Sequence, residues 1–244
     1  MAFKQVHFGV HPFLQRLEKN EPLRHVLPFA SYLTFWVMTF QDVLRLNESK
    51  VEDPSIQLMS RHHRAEEAGH DRWFLADLLK IEGANPDLRD VFSSPHTATR
   101  DAAYTLMAEV FTARTDDERI VLLLALESTS HVFFEKIASY FERQGVSAAL
   151  QYFARHHIDA EEQHEIFEVK MMDKLQRRAL EPSVRQRCLD LVDRCFAAFD
   201  LLFDGLEERL DHVVSRLARP SGLRQALSRE ERLLQVETEL LRAG

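Results

Sequence analysis

Residues 22–46 read PLRHVLPFASYLTFWVMTFQDVLRL. Leu23, Leu27, Ala30, Leu33, Val37 and Phe40 recur at steps of three and four, the period of one helix face. Pro22 stands where a helix begins. The same period continues outward along the chain. Asp53-Pro54 pairs an N-cap residue with a first-turn proline and predicts a helix to Ile81, stopping at Gly83. Residues 84–95, rich in Asn, Pro, Asp and Ser, predict a loop, and a helix follows from His96 to about Ala113. Asp116-Asp117-Glu118 places acid at the start of another helix, which runs to Gln144 before Gly145. Ser147 predicts the cap of a helix to about Arg178, and Pro182-Ser183 the start of one to about Leu217.

Composition agrees with this pattern. Seven Gly and eight Pro in 244 residues leave too little punctuation for the many turns of an all-β chain. The expectation is an all-α, compact bundle of about seven helices in one domain, residues 1–218. A C-terminal helical tail, 219–244, would follow the Pro220-Ser221-Gly222 break. A formal charge of −8 argues against nucleic acid as a partner, because nonspecific binding needs a positive field. The longest charge-free apolar-rich run, 26–41, is short of the ~20 residues that span a bilayer. It reads as a buried helix, and the protein as soluble, with no membrane partner and no signal core at Met1-Ala2-Phe3-Lys4. Cys188 and Cys195, seven apart in a helical stretch, read as small buried thiols of a reduced, cytoplasmic protein.

Half of the twelve histidines lie in two nine-residue boxes, HHRAEEAGH at 62–70 and HHIDAEEQH at 156–164. Each contains H-x-x-x-E-x-x-H: His63/Glu67/His70 and His157/Glu161/His164. On a helix, positions i, i+4 and i+7 share one stripe, so each box offers two imidazoles and a carboxylate to one side. That nitrogen and oxygen set, without thiolate, suits iron or manganese. Glu127 stands between the boxes in the apolar run LLLALE, where an uncompensated carboxylate would be costly to bury. Three carboxylates and four neutral imidazoles match the way helical bundles hold di-iron sites, with Glu-x-x-His motifs from two helices and single Glu residues from others. His62, Glu66, His156 and Glu162 sit toward the stripe edges and read as solvated. His131, one turn after Glu127, reads as a core histidine or as a partner of a ligand. Tyr32, Phe35, Trp36, Phe133 and Phe134 read as core.

These residues resemble a known family. His11-Pro12-Phe13-Leu14, followed by a long aromatic helix, is similar to the opening of the heme-oxygenase-like superfamily. That superfamily includes thiaminase II, pyrroloquinoline quinone synthase and the non-heme di-iron oxidases. The segment 153–164 is similar to the last metal-binding helix of those oxidases. Glu127 corresponds to their mid-chain Glu ligand, and His70 with Trp73-Phe74-Leu75 to their early His. One position departs: where that family usually carries a Glu seven residues before the early His, this chain has His63. Glu67 or Glu66 then stands open as the carboxylate of the early site. The resemblance covers roughly 11–210. No Gly-rich run like that of the heme-degrading members is found, and Cys188 and Cys195 fall too late for a thiaminase nucleophile.

The resemblance implies a non-heme di-iron enzyme that activates O2 to oxidise a small organic substrate lying against the aromatic helix 28–40. His63, Glu67 and His70 would hold one iron, and His157, Glu161 and His164 the other, with Glu127 bridging or shifting. Glu127, His157, Glu161 and His164 are the expected catalytic set, and a homodimer is the expected assembly. The alternative is a metal-free or mono-metal bundle that binds a small molecule or a protein without redox activity. A ferritin-like bundle would share these ligands but needs a first-helix carboxylate, for which Asp42 is the candidate.

Overall fold

The computed structural model describes residues 2–217, 236 and 238–241; the side chains of 2, 3, 161–168, 170 and 217 are outside the described set. Short helices α1 (Ala2–Phe8), α2 (Pro12–Glu18) and α3 (Leu23–Val26) lead through a 3-10 segment, Leu27–Leu33, into α4 (Thr34–Ser49). There follow α5 (Pro54–Glu66), α6 (His70–Glu82), α7 (Leu88–Val91), a 3-10 turn at Ser94–His96, α8 (Thr97–Thr112) and α9 (Asp116–Arg143). A 3-10 turn, Ser147–Ala149, precedes α10 (Arg155–Gln176) and α11 (Pro182–Leu217). No strand occurs among the described residues, as the helical period predicts. Of these eleven helices, seven run for thirteen residues or more: α4, α5, α6, α8, α9, α10 and α11.

The cap read from sequence at Asp53 forms. Asp53 accepts from the amides of Ser55 and Ile56 at 2.8 and 3.3 Å, with Pro54 in the first turn. A second cap closes α9, where Thr115 and Glu118 form a reciprocal capping box, and such caps contribute about 1 kcal/mol each. All of residues 118–127 are buried, so α9 is surrounded on every side and forms the axis of the bundle. On one side α11 packs against both α8 and α9. At the α8–α11 contact, a Cβ on Gly205 would lie 2.6 Å from the Ala98 Cβ, so the helices close to a distance that only glycine permits. Phe8, Phe13, Phe133 and Phe203 join α1, α2, α9 and α11 in one aromatic cluster, with Phe8 stacked on Phe203 at 4.9 Å.

Four expectations change in detail. The segment 22–46 is not one helix: Pro28 cannot donate to a carbonyl one turn back, and the chain tightens into the 3-10 segment before α4. The predicted helix 54–81 breaks at 67–69, where Gly69 has φ +107°, a backbone that L side chains rarely adopt. Ser147 starts only a 3-10 turn, and α10 begins at Arg155, because the amides of 151–153 donate to a side chain of α6. The expected loop 84–95 carries the one-turn α7 and the start of a 3-10 turn.

The predicted tail 219–244 lies outside the described residues except for 236 and 238–241, where Val236 and Leu240 are buried. Among the described residues no helix is long and apolar enough to cross a membrane. Cys188 and Cys195 are free and buried, and burial pushes their thiols up to about 11 and about 12.

Candidate metal centre

The break at Gly69 shapes the first box. His63 sits near the end of α5, Glu67 caps that end, and His70 opens α6. Gln41 of α4 pins the turn by donating to the Glu67 carbonyl at 2.7 Å. His63 reaches across to α9, where its Nε2 lies 2.6 Å from Glu127 Oε1. His70 Nδ1 lies 3.0 Å from Glu67 Oε2 and 3.2 Å from His157 Nε2. The two boxes therefore meet in space, through imidazoles 87 residues apart in sequence.

His157 is oriented from its other nitrogen. Its Nδ1 is 3.0 Å from the Tyr152 carbonyl, which can only accept, so Nδ1 carries the hydrogen and Nε2 presents its lone pair to the cluster. Phe134 and Tyr152 flank the ring at 3.8 and 4.8 Å between centroids. Trp73 stacks on His70 at 4.7 Å.

His63, Glu67, His70, Glu127 and His157 are all buried, none more than 6% exposed. One ligand atom from each of His63, Glu67 and Glu127 lies within 4.8 Å of the others. Two carboxylates gathered in an apolar interior carry a large desolvation cost unless a cation offsets them. Imidazole and carboxylate donors at this spacing suit a divalent transition ion, so the residues present fit iron.

A cavity of about 50 Å³ adjoins the cluster, with room for a few water-sized molecules. Glu67, His70, Glu127 and His157 line it together with the polar Gln41, Asp71 and Ser130. Trp36, Phe40, Phe133, Phe134, Phe199 and Phe203 are among the residues that form its apolar wall. Three of the aromatics read from sequence as core, Trp36, Phe133 and Phe134, thus also line the site.

The structure gathers five of the seven sequence-predicted ligands. Positions 161 and 164 lie in the unbroken helix α10, but the side chains of Glu161 and His164 are outside the described residues. Of the two acids left open for the early site, Glu67 is in the cluster, while Glu66 faces His62 at 3.6 Å. His62 and His156 are exposed, His156 against the Trp73 ring. His131 is neither core nor partner of a ligand: it is exposed beside Glu135 at 3.4 Å. Asp42 pairs with Arg45 on the surface and stands outside the cluster.

Sequence reasoning missed Gln41 and Asp77. Asp77 is fully buried on α6 and accepts from the backbone amides of Gln151, Tyr152 and Phe153 at 2.8–3.2 Å. Burial pushes its pKa above the usual carboxylate value, against the pull of those amides and of Lys80. Its signal was present: an acid inside the apolar run FLADLL, the same kind of anomaly that marks Glu127.

The model of a protein family described as iron-containing redox enzyme matches residues 24–199. That span holds every residue of the cluster. Comparison with curated proteins finds no match.

Proposed function

The chain belongs to the family of iron-containing redox enzymes, within the heme-oxygenase-like superfamily, and we propose that it is a non-heme di-iron enzyme that activates O2 to oxidise a small organic substrate. The observation that carries this reading is the convergence of His63, Glu67, His70, Glu127 and His157 from α5, α6, α9 and α10 in one buried cluster beside a cavity. His63, Glu67 and His70 would hold one ion and His157, Glu161 and His164 the other, with Glu127 as a further carboxylate ligand. Iron held there, once reduced by an external donor, would supply the redox chemistry toward O2 for which side chains alone are poor sources.

The rest falls to the chain. Glu67 and Glu127 offset cationic charge. His63 Nε2 and His70 Nδ1 each lie within hydrogen-bond distance of a carboxylate oxygen, and a cation entering there would displace the shared proton to solvent. The aromatic wall limits bulk water beside the ligands and would present an apolar face to a substrate. Among the described residues, none around the cavity is Lys or Arg.

Metal analysis followed by anaerobic Fe(II) titration and exposure to O2 tests the reading. The expected result is about two irons per chain and rapid O2 consumption after reduction. Failure to bind iron, or binding with no reaction toward O2, would reject it in favour of a binding protein without redox activity.

A further inference from the structure

Asp77 stands two turns after His70 on α6, and its carboxylate is the acceptor for three consecutive backbone amides that belong to no helix. Gln151 N donates to both of its oxygens at 2.9 Å, Tyr152 N at 2.8 Å and Phe153 N at 3.2 Å to one. One turn further along α6, Lys80 Nζ donates to the Ala149 carbonyl at 2.6 Å. The stretch 149–153 is therefore held from one side by two residues of α6. Its Tyr152 carbonyl accepts from His157 Nδ1. The N-cap of α10, Ala154, makes no side-chain cap, so the position of the α10 start depends on this grip. The contacts close a ring: His70, α6, Asp77, the 151–153 amides, the Tyr152 carbonyl, His157 and back to His70.

A fully buried carboxylate is an expensive way to satisfy three amides, since it must be desolvated. A position that served only to fill the core would cost less with an apolar residue. What the carboxylate adds is direction. It presents two acceptor oxygens and no donor, so it turns all three N–H groups of 151–153 toward α6. The Tyr152 carbonyl is thereby left to meet the first turn of α10. We propose that Asp77 is a positioning residue of the metal centre, fixing the tautomer and ring orientation of His157 through the Tyr152 carbonyl so that Nε2 is the ligating atom. The proposal rests on the reading of His157 as a metal ligand given above. It explains why a helix that carries one ligand at its first residue also carries a buried acid two turns on.

The decisive readout is taken before any metal is added. In protein labelled with ¹⁵N-histidine and freed of metal by chelation, long-range ¹H–¹⁵N correlation should show His157 as the Nδ1–H tautomer. In Asp77→Asn, an isosteric change that puts a donor against the amides, His157 should shift to a mixture or to the Nε2–H form. Co(II) affinity should fall about 10–100-fold, the usual cost of losing a partner that orients a ligand. A folded Asp77→Asn with lowered Tm, an unchanged His157 tautomer and unchanged Co(II) affinity would reduce Asp77 to a structural role and overturn the proposal.

Should Asp77→Asn fail to fold, hydrogen exchange on the wild type decides. The amides of 151–153 should be protected and slow further when Co(II) binds. Equal rates with and without Co(II) overturn the proposal. The function reading fails separately: His157→Ala that binds Co(II) as the wild type does would remove His157 from the ligand set, whatever the tautomer experiment shows.

Discussion

In the α5–α6 region, His63, Glu67 and His70 span a broken helix, whereas positions 157, 161 and 164 lie on the unbroken α10. The two boxes have the same His and Glu spacing and differ at one telling place. Gly69 precedes the last His of the first box, and Gln163 precedes that of the second. Glycine accepts φ +107° and ends α5 there; glutamine, a good helix former, lets α10 continue. Glu67 becomes a C-cap and His70 the first residue of a new helix, aimed at both Glu67 and His157. A shared ligand motif thus implies a shared donor set and does not imply a shared backbone.

Removing the acid that both regions use should have the largest effect. Glu127 lies against His63 and lines the cavity with His157. Glu127→Ala should abolish most iron binding and O2 consumption, a larger loss than the ~10–100-fold cost of an outer partner. Iron analysis of folded protein checks it, with the surface change His62→Ala retaining iron as the control.

Gly69→Ala attacks the break itself. A Cβ there would meet nothing within 4 Å, so the cost is in the backbone, about 1–2 kcal/mol at a positive φ. Denaturant unfolding should show that loss, and iron affinity should fall about tenfold as His70 is displaced. Unchanged stability and affinity would mean that the break has no role in placing His70.

The reciprocal change, Gln163→Gly, should be milder. It adds glycine to a helix interior that tertiary contacts already hold, at about 1 kcal/mol or less. Circular dichroism should show α10 intact. A loss of helix as large as one or two turns would mean that continuity of α10 depends on this single side chain.

The smallest effect concerns the tie between the two regions. Asp53, the cap of α5, also meets Arg178 at 3.1 Å, just past the end of α10. Hydrogen bonds from the Ser55 hydroxyl and amide hold the Asp53 carboxyl well below the usual carboxylate range, helped by Lys174. Its folded pKa is below its unfolded one. The stabilisation is therefore fully present above about pH 4 and is lost as pH falls toward the folded value. Wild type should show a slightly steeper acid loss of stability than Asp53→Asn, which keeps the cap without the charge. Identical acid slopes would show that the cap charge contributes nothing.

Much of this was legible in the sequence because it is local. The long helices follow from apolar period, and the starts at Pro54, Asp116 and Pro182 follow from capping chemistry within four residues. The breaks were legible in principle, through Pro28 and Gly69, but helical period on both sides outweighed a single residue. The start of α10 was not legible: Ser147 has the character of a cap, and the competing acceptor, Asp77, lies some seventy residues earlier. The donor types of the site were visible as repeated spacing, and Glu127 as an acid in an apolar run.

By itself the sequence determined an all-α chain and a set of imidazoles and carboxylates suited to iron, because period, caps and residue chemistry act over a few positions. Only the tertiary structure decided which of them meet. His63 finds Glu127 across 64 residues and His70 finds His157 across 87. Such contacts are set by how α5, α6 and α10 pack around the buried axis of α9, and no spacing within one helix specifies that packing.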